Sequence, residues 1–277
     1  MAVPIVWEVP LAESLTHMIR SPLKAMLEFF KLLFFGTGIL SLPAQMLSIF
    51  VRASSISDDL DFIGQTLSNE REGGEKTNIG PDGLLPDFEL MPLPIGGTDD
   101  FEEHKLRWSN LGLFTFLTTL LKPKSRGTVR LTSNNPRDRP KVDFNFMSHP
   151  ADWPMIRKAI RVAMKLGKGI QAQGFPLTRG VLVPESEKDE DIDKLVIERA
   201  RTVFHWSSTC RMAPETDEAP GVVADDLRVH GFSNLRVCDA SIFPQTICTH
   251  TQAPVVMVAE KCADIIKATN EKKLKAA

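Results

Sequence analysis

The chain has 277 residues with 33 basic and 35 acidic side chains, and its net charge of −2 excludes the electrostatic attraction on which nucleic-acid binding depends. Hydrophobic residues make up 43% and charged residues 25% of the sequence, a composition typical of a globular protein with one large or two moderate domains. The four cysteines contain no C-x-x-C pair, so we predict neither a metal site nor a disulfide framework.

The N-terminal fifth of the sequence has helical spacing. Residues 11–52 are predicted to be helical with a break near Gly36 and Gly38, and residues 11–68 to form a helical or lid-like segment. Residues 32–51 carry no charge over twenty positions, about the length that crosses a bilayer. The glycines and Pro43 break this stretch, so we favour a buried or lid-like segment and expect no membrane partner.

The same stretch contains a G-x-G-x-x-S pattern at residues 36–41, with Asp58 at the distance of a ribose-binding acid. A third glycine is missing and the preceding run has helical spacing, so a dinucleotide-binding loop is disfavoured. The N-terminus shows no signal peptide and the sequence no N-x-S/T acceptor, which slightly favours a cytoplasmic location.

The middle of the sequence is rich in strand-like runs. Residues 69–82 are polar and are expected to form an exposed loop. Short β-branched or aromatic runs then predict a mainly antiparallel sheet; they lie at residues 83–95, 111–121, 126–133 and 141–146.

Two helices are predicted after these strands. Residues 151–167 form an amphipathic pattern that should pack against the sheet, and a shorter helix should end near Arg201. The apolar face of the first contains Ile156, Ile160, Ala163 and Met164.

The last quarter of the sequence contains a short apolar run, a lone acid and a long helix. Val237 is predicted to lie in a short buried strand that ends at Asp239. This acid either contacts a ligand, caps a turn or pairs with a nearby arginine. A helix is predicted from Pro254, and its first turn should offer free N–H groups with a partial positive charge. The face expected to pack carries Val255, Ala259, Cys262 and Ile266.

Three segments of this region resemble the C-terminal signature of the glucose–methanol–choline (GMC) oxidoreductases, flavoenzymes that oxidise alcohols with FAD. They read HWSSTCRMAPE from His205, GVVADDLRVHGFSNLRVCDASIFP from Gly221 and THTQAPVVMVAEKCADII from Thr249. Residues 126–161 are similar to the segment that leads into this signature, and residues 8–15 resemble the entry to the family's substrate domain. His-Thr-Gln at residues 250–252 resembles fungal aryl-alcohol-oxidase-like members.

The resemblance implies an α/β (α+β) fold with two parts. Residues 1–200 would form a substrate-binding domain, a mainly antiparallel sheet with covering helices. Residues 201–277 would form the C-terminal part of a Rossmann-like FAD-binding domain.

The resemblance also implies the roles of individual residues. His205 and His250 would lie on either side of the substrate hydroxyl, with His205 as the base and His250 orienting the hydroxyl. Asp239 and Ala240 would contact the ribityl–phosphate portion of FAD. The flavin ring would be contacted by Trp206, Thr251 and Gln252. The remaining histidines, expected to be surface or capping residues, are His17, His104, His149 and His230.

The sequence departs from the family because it lacks the strand and G-x-G-x-x-G loop that bind the ADP part of FAD. We therefore carry two hypotheses. The first is oxidation of a small-molecule alcohol by hydride transfer to FAD, with fungal specialised metabolism as its setting and a complementing N-terminal FAD-binding chain or segment. The alternative is a truncated, flavin-free protein that is non-catalytic or dependent on a partner.

Overall fold

A computed structural model describes residues 1–42, 46–61, 85–96, 102, 105 and 108–276. The loop predicted at residues 69–82, Pro43 and His104 lie outside the described residues. The chain divides into two compact units. One comprises Met1–Leu120 with His149–Arg201, and the other comprises Leu121–Ser148 with Thr202–Ala277.

The described residues form seven strands and five α-helices. The strands are β1 Ala2–Val9, β2 Ile49–Val51, β3 Phe88–Leu93, β4 Gly112–Leu120, β5 Thr128–Arg130, β6 Lys141–Asp143 and β7 Gly180–Leu182. The helices are α1 Thr16–Ile19, α2 Pro22–Phe35, α3 Asp152–Ala172, α4 Asp189–Arg199 and α5 Gln252–Ala276.

The first unit contains a five-stranded sheet in the order β2-β3-β4-β1-β7, in which every neighbouring pair is antiparallel. This confirms the predicted mainly antiparallel sheet. The interior strand β1 was not predicted. It pairs with β4 along its whole length, from Ala2 opposite Thr119 to Val9 opposite Gly112. All its residues except Glu8 are buried, so it lacks the alternation of a half-exposed strand.

Helix α3 packs on this sheet, as predicted, and contacts β4, β3 and β1. Ile156, Ile160 and Ala163 are fully buried, whereas Met164 is half-buried. Helix α4, also predicted, is held to α3 by Arg157. The Arg157 Nε lies 2.7 Å from Asp193 Oδ1, and its Nη1 lies 2.8 Å from Asp189 Oδ2.

The predicted helical segment 11–52 is correct only in part. Helical turns occupy Leu11–Glu13, α1, α2 and Ile39–Ser41, but residues 49–51 form β2 rather than a helix. Gly36 adopts a left-handed φ of 61° and ends α2, at the predicted break. Among the described helices, none combines the length and the apolar character that spanning a bilayer requires.

The second unit contains a β5–β6 hairpin, which confirms the strands predicted at residues 126–133 and 141–146. Its core is formed by Val223, Leu227, Ile242, Phe243 and Cys262. Residues 121–148 therefore lie in this unit, whereas the sequence assigned them to the domain of residues 1–200.

Three local predictions in the second unit differ from the structure. The strand predicted around Val237 is only an isolated bridge between Arg228 and Arg236, because this segment lacks a longer partner. Helix α5 begins at Gln252 rather than Pro254, which lies in its first turn. The face of α5 that packs on the core carries Val255, Val258 and Cys262, and the predicted Ala259 and Ile266 are exposed.

Candidate active site

His205 and His250 meet in the second unit although 45 residues separate them in the sequence. Their ring centroids lie 5.2 Å apart and the ring planes make an angle of 78°. Both side chains are half-buried, so they remain accessible to a small molecule. The structure thus brings together the two histidines that the sequence singled out.

The loop that carries His205 is fixed by backbone hydrogen bonds to a 3₁₀ turn at Ala240–Ile242. The N–H groups of residues 208, 210 and 212 donate to the carbonyl oxygens of residues 240, 241 and 242, at 3.3, 2.9 and 2.8 Å. Phe204 and Ser208 have positive φ angles of 60° and 70°, which turn the backbone sharply on both sides of His205. Rigid anchoring of this kind is what a catalytic side chain needs.

A hydroxyl contact joins the two histidine segments. Ser207 Oγ lies 3.3 Å from Thr246 Oγ1. Ser207 follows His205 by two residues, and Thr246 precedes His250 by four. The sequence did not single out either hydroxyl residue.

Trp206 presents an open aromatic surface next to His205 in the sequence. Its side chain is 57% exposed. The indole stacks on Phe144, with centroids 6.1 Å apart and planes within 14°, and contacts Phe204 edge-on at 5.7 Å. Phe144 was not predicted as a neighbour of Trp206, because its only local signal is the F-N-F alternation that follows β6.

Asp239 caps the 3₁₀ turn at Ala240–Ile242. Its Oδ1 accepts the N–H of Ser241 at 2.8 Å, so the capping alternative left open by the sequence is realised. The residue is nevertheless exposed, and Ala240 is half-buried beside it. A carboxylate at this position can hold one backbone N–H and still face a ligand.

Thr251 and Gln252 lie at the start of α5. The Val255 N–H donates to the Thr251 carbonyl at 3.0 Å, and Gln252 is exposed. The first N–H groups of a helix have no intrahelical acceptor and carry partial positive charge. His250 therefore stands immediately before a group of donors that favours negative charge.

An open cleft of about 340 Å³ also belongs to the second unit. Its lining includes Ser207, Ser208 and Thr209, which follow His205 and Trp206, and Thr246, which precedes His250. The β5 segment contributes the remaining side, with Ser125, Arg126, Gly127, Thr128, Val129 and Arg130. The arginines were not predicted as site residues, since nothing in their local spacing distinguishes them from other exposed basic residues.

The other described histidines have structural contacts, as predicted. His17 Nδ1 lies 2.6 Å from the Ser14 carbonyl, and His230 Nε2 lies 3.0 Å from the Ala213 carbonyl. His149 Nδ1 accepts the N–H of Ala151 at 3.2 Å, at the start of α3. Within the part of the chain that the structure describes, no three His, Cys, Asp or Glu side chains are grouped as metal ligands would be.

Comparison with known proteins gives three kinds of similarity. The family model described as GMC oxidoreductase matches residues 123–259. The oxygen-dependent choline dehydrogenase of Pseudomonas fluorescens is 35% identical over 207 residues, a match that covers 72% of this chain and 34% of that protein. The chain thus spans about a third of the length of such relatives.

Solved structures show the same fold. A variant of formate oxidase from Aspergillus oryzae superposes with a TM-score of 0.77 at 24% identity, over 98% of this chain and 46% of that one. A fungal aryl-alcohol oxidase superposes with a TM-score of 0.65 at 23% identity, over 96% and 46% of the two chains. The predicted α/β fold with a mainly antiparallel sheet is therefore confirmed.

Proposed function

Because the chain belongs to the GMC oxidoreductase family through residues 123–259, we propose that it serves FAD-dependent oxidation of a small-molecule alcohol to a carbonyl. The observation that carries this proposal is the pair of half-buried imidazoles of His205 and His250, 5.2 Å apart at the start of a helix. Imidazole titrates near neutral pH and is the side chain best suited to take a proton from a hydroxyl group.

The residues around this pair fit the flavin end of FAD. The exposed indole of Trp206 offers a flat apolar surface, and Thr251 and Gln252 offer hydroxyl and amide groups at the start of α5. Asp239 and Ala240 would hold the ribityl–phosphate portion beside the 3₁₀ turn. When bound, FAD supplies the acceptor for the hydride that leaves the alcohol carbon.

In the proposed mechanism His205 accepts the proton of the substrate hydroxyl. The hydrogen bonds between residues 208–212 and 240–242 hold its loop in place, so the imidazole need not reorganise during the proton transfer. His250 hydrogen-bonds the hydroxyl oxygen from the second side and orients it. The N-terminus of α5 stabilises negative charge that develops in front of it.

The ADP end of FAD needs a different part of the protein. The G-x-G pattern at residues 36–38 does not fit a phosphate, because Gly36 follows helix α2 rather than a strand. In addition, the Glu28 carboxylate accepts the Ile39 N–H at 2.8 Å, where a phosphate would need a free donor. We therefore propose that a complementing N-terminal FAD-binding chain or segment holds the ADP end.

The test begins by adding FAD to the purified chain. Flavin absorbance and fluorescence measure how much FAD is bound. Benzyl alcohol and choline are then added without oxygen, and bleaching of the flavin is timed. We expect His205→Ala to slow this reduction by about 10²- to 10⁴-fold, the usual contribution of a general base, while FAD affinity stays within about twofold.

His230→Ala is the matched control, because His230 belongs to the same unit and its ring contacts the Ala213 carbonyl in a structural role. It should reduce flavin at the wild-type rate. Unchanged kinetics in His205→Ala would disprove its role as the base. A chain that takes up no FAD would contradict enzymatic activity of this chain alone.

A further inference from the structure

Helix α2 exposes its apolar side rather than burying it. None of its residues is buried, although nine of its fourteen side chains are large and apolar. Seven of them, exposed by between 45% and 71%, form what we call the α2 apolar face: Leu23, Met26, Leu27, Phe29, Phe30, Leu33 and Phe34. At about 100° per residue these positions share one side of the helix, roughly 160° wide.

The polar residues of α2 lie on the opposite side. Lys24, Glu28 and Lys31 fall outside the apolar face, and Lys31 Nζ forms an ion pair with Glu28 Oε1 at 2.6 Å. The helix is therefore amphipathic, but its apolar side faces outward, whereas the apolar side of a helix on a globular core normally faces inward.

Exposed apolar side chains continue beyond the helix. Phe35, the last residue of α2, is 76% exposed, and the described residues that follow the helix include further exposed apolar side chains. These are Ile39, Leu40, Leu42, Met46 and Leu47. The exposed apolar surface is thus far larger than the scattered apolar residues that are normal on a soluble protein.

The segment that carries this surface has more basic than acidic residues. Between residues 20 and 51 the sequence carries Arg20, Lys24 and Lys31 against Glu28 alone, whereas the whole chain has a net charge of −2. Because Lys31 pairs with Glu28, Arg20 and Lys24 carry the excess positive charge. Long basic side chains beside an apolar helix face are typical of helices that lie in the interface of an anionic bilayer.

We propose that the α2 apolar face docks on the surface of a membrane containing anionic lipids. The helix would lie in the interface plane, its apolar face among the acyl chains and Arg20 and Lys24 at the headgroups. A second copy of this chain is a poorer partner, because pairing two copies of the same face would bring two positively charged edges together. The complementing N-terminal FAD-binding segment proposed above is the other candidate to cover this face, and failure of the wild type to bind vesicles would favour it. The sequence alone had led us to expect no membrane partner.

The proposal does not depend on flavin binding, so it can be tested on the chain alone. Flotation with vesicles of phosphatidylcholine and phosphatidylserine should recover the wild-type chain with the lipid, and pure phosphatidylcholine vesicles should recover less of it. The triple variant Phe29→Ser, Leu33→Ser, Phe34→Ser should lower the bound fraction by at least about tenfold, because three apolar side chains no longer favour insertion.

Ile197→Ser is the matched control, since Ile197 is 74% exposed on helix α4, outside the α2 apolar face. It should bind vesicles like the wild type. Lys24→Glu should weaken binding to the anionic vesicles and leave binding to phosphatidylcholine unchanged.

A fluorescent variant reports insertion without removing apolar surface. In Phe34→Trp, the signal of the new tryptophan is obtained by subtracting the wild-type tryptophan emission. It should shift to shorter wavelength with anionic vesicles and be quenched by brominated acyl chains. Failure of the wild type to float, wild-type binding by the triple variant, or absence of quenching would each overturn the proposal. A triple variant that only lowers the oligomeric mass would identify the face as a self-interface instead.

Discussion

Cys238 is the residue whose reactivity the structure restricts most clearly. Its Sγ lies 3.5 Å from the Val258 carbonyl of helix α5, in contact with the core of the second unit. Burial raises the pKa of the Cys238 thiol to about 11, and the neighbouring Cys262 thiol adds to this shift. Since the thiolate is the reactive form, this cysteine is a packing residue rather than a nucleophile at neutral pH.

We predict that Cys238 resists alkylation. At pH 8 a thiol with a pKa of about 11 is ionised in only about one molecule in a thousand, so iodoacetamide should modify it slowly until the pH approaches 11. Peptide mass spectrometry over pH 7–11 measures this, with Cys210 and Cys248, both half-buried, as internal references. Labelling of Cys238 that is half-complete near pH 8.5 would contradict the assignment.

The same shift has a consequence for stability. Between the ordinary thiol pKa and about 11, the unfolded chain loses the Cys238 proton while the folded chain keeps it. The folded state then binds more protons, so the free energy of unfolding falls as the pH rises through this range.

Two glycines of helix α3 offer a comparison at the scale of a secondary-structure element. A Cβ added at Gly167 would lie 2.7 Å from the ring of Trp7 on β1, whereas a Cβ at Gly169 would meet nothing within 4 Å. Gly167 thus permits the close approach of the helix to strand β1. Gly169 has no such role and only weakens the helix.

We predict opposite effects for alanine at these two positions. Gly169→Ala should raise the free energy of unfolding by about 0.5–1 kcal/mol through helix propensity. Gly167→Ala gains the same propensity but must displace Trp7 from a packed core, and overpacking costs about 1–3 kcal/mol, so the net effect should be destabilising. Urea unfolding of the two variants measures both, and equal stabilisation would show that Trp7 can move freely.

The sequence predicted those elements whose pattern reflects one packed face. Helix α3 was found because Ile156 and Ile160 recur at helical spacing beside polar residues, and β3 and β4 because turn residues bound them. Strand β1 was missed because Ala2–Val9 is buried on both faces and shows no alternation. Strands β2 and β7 were missed, whereas β5 and β6, which are equally short, were found inside longer strand-like runs bounded by turn residues.

Register along α5 was predicted less well than the existence of the helix. Val255 and Cys262 were assigned correctly, but Val258 packs where Ala259 was expected. Positions 258 and 259 are both apolar and differ by one residue in register. Which of them packs depends on where the core lies relative to the helix, and the local sequence does not show this.

At the scale of the whole molecule, the candidate site depends on contacts between distant segments. The sequence identified His205 and His250 through their resemblance to a known signature, yet their proximity requires the turn at residues 240–242 and the loop at residues 202–212 to pack together. Arg126 and Thr246 join the adjacent cleft through the same long-range packing. Local spacing carries no signal for such neighbours.

The core of the second unit should therefore control the rigidity of the His205 loop. Ile242 is 2% exposed in this core, and its carbonyl accepts the Met212 N–H at 2.8 Å. Ile242→Ala keeps that backbone bond but creates a cavity, which costs about 2–5 kcal/mol for a buried isoleucine. Hydrogen exchange of the amides at residues 208, 210 and 212 should accelerate by a corresponding factor, because their acceptors lie on the loosened turn.

Ile266→Ala provides the matched comparison, because Ile266 is 41% exposed on α5 and its truncation should change the free energy of opening by less than about 0.5 kcal/mol. Exchange at the three amides should then equal the wild type. If Ile266→Ala instead accelerates exchange as much as Ile242→Ala, helix α5 packs through the face predicted from sequence. The register that presents Val258 and Cys262 to the core would then be wrong, and with it the orientation of the helix start behind His250.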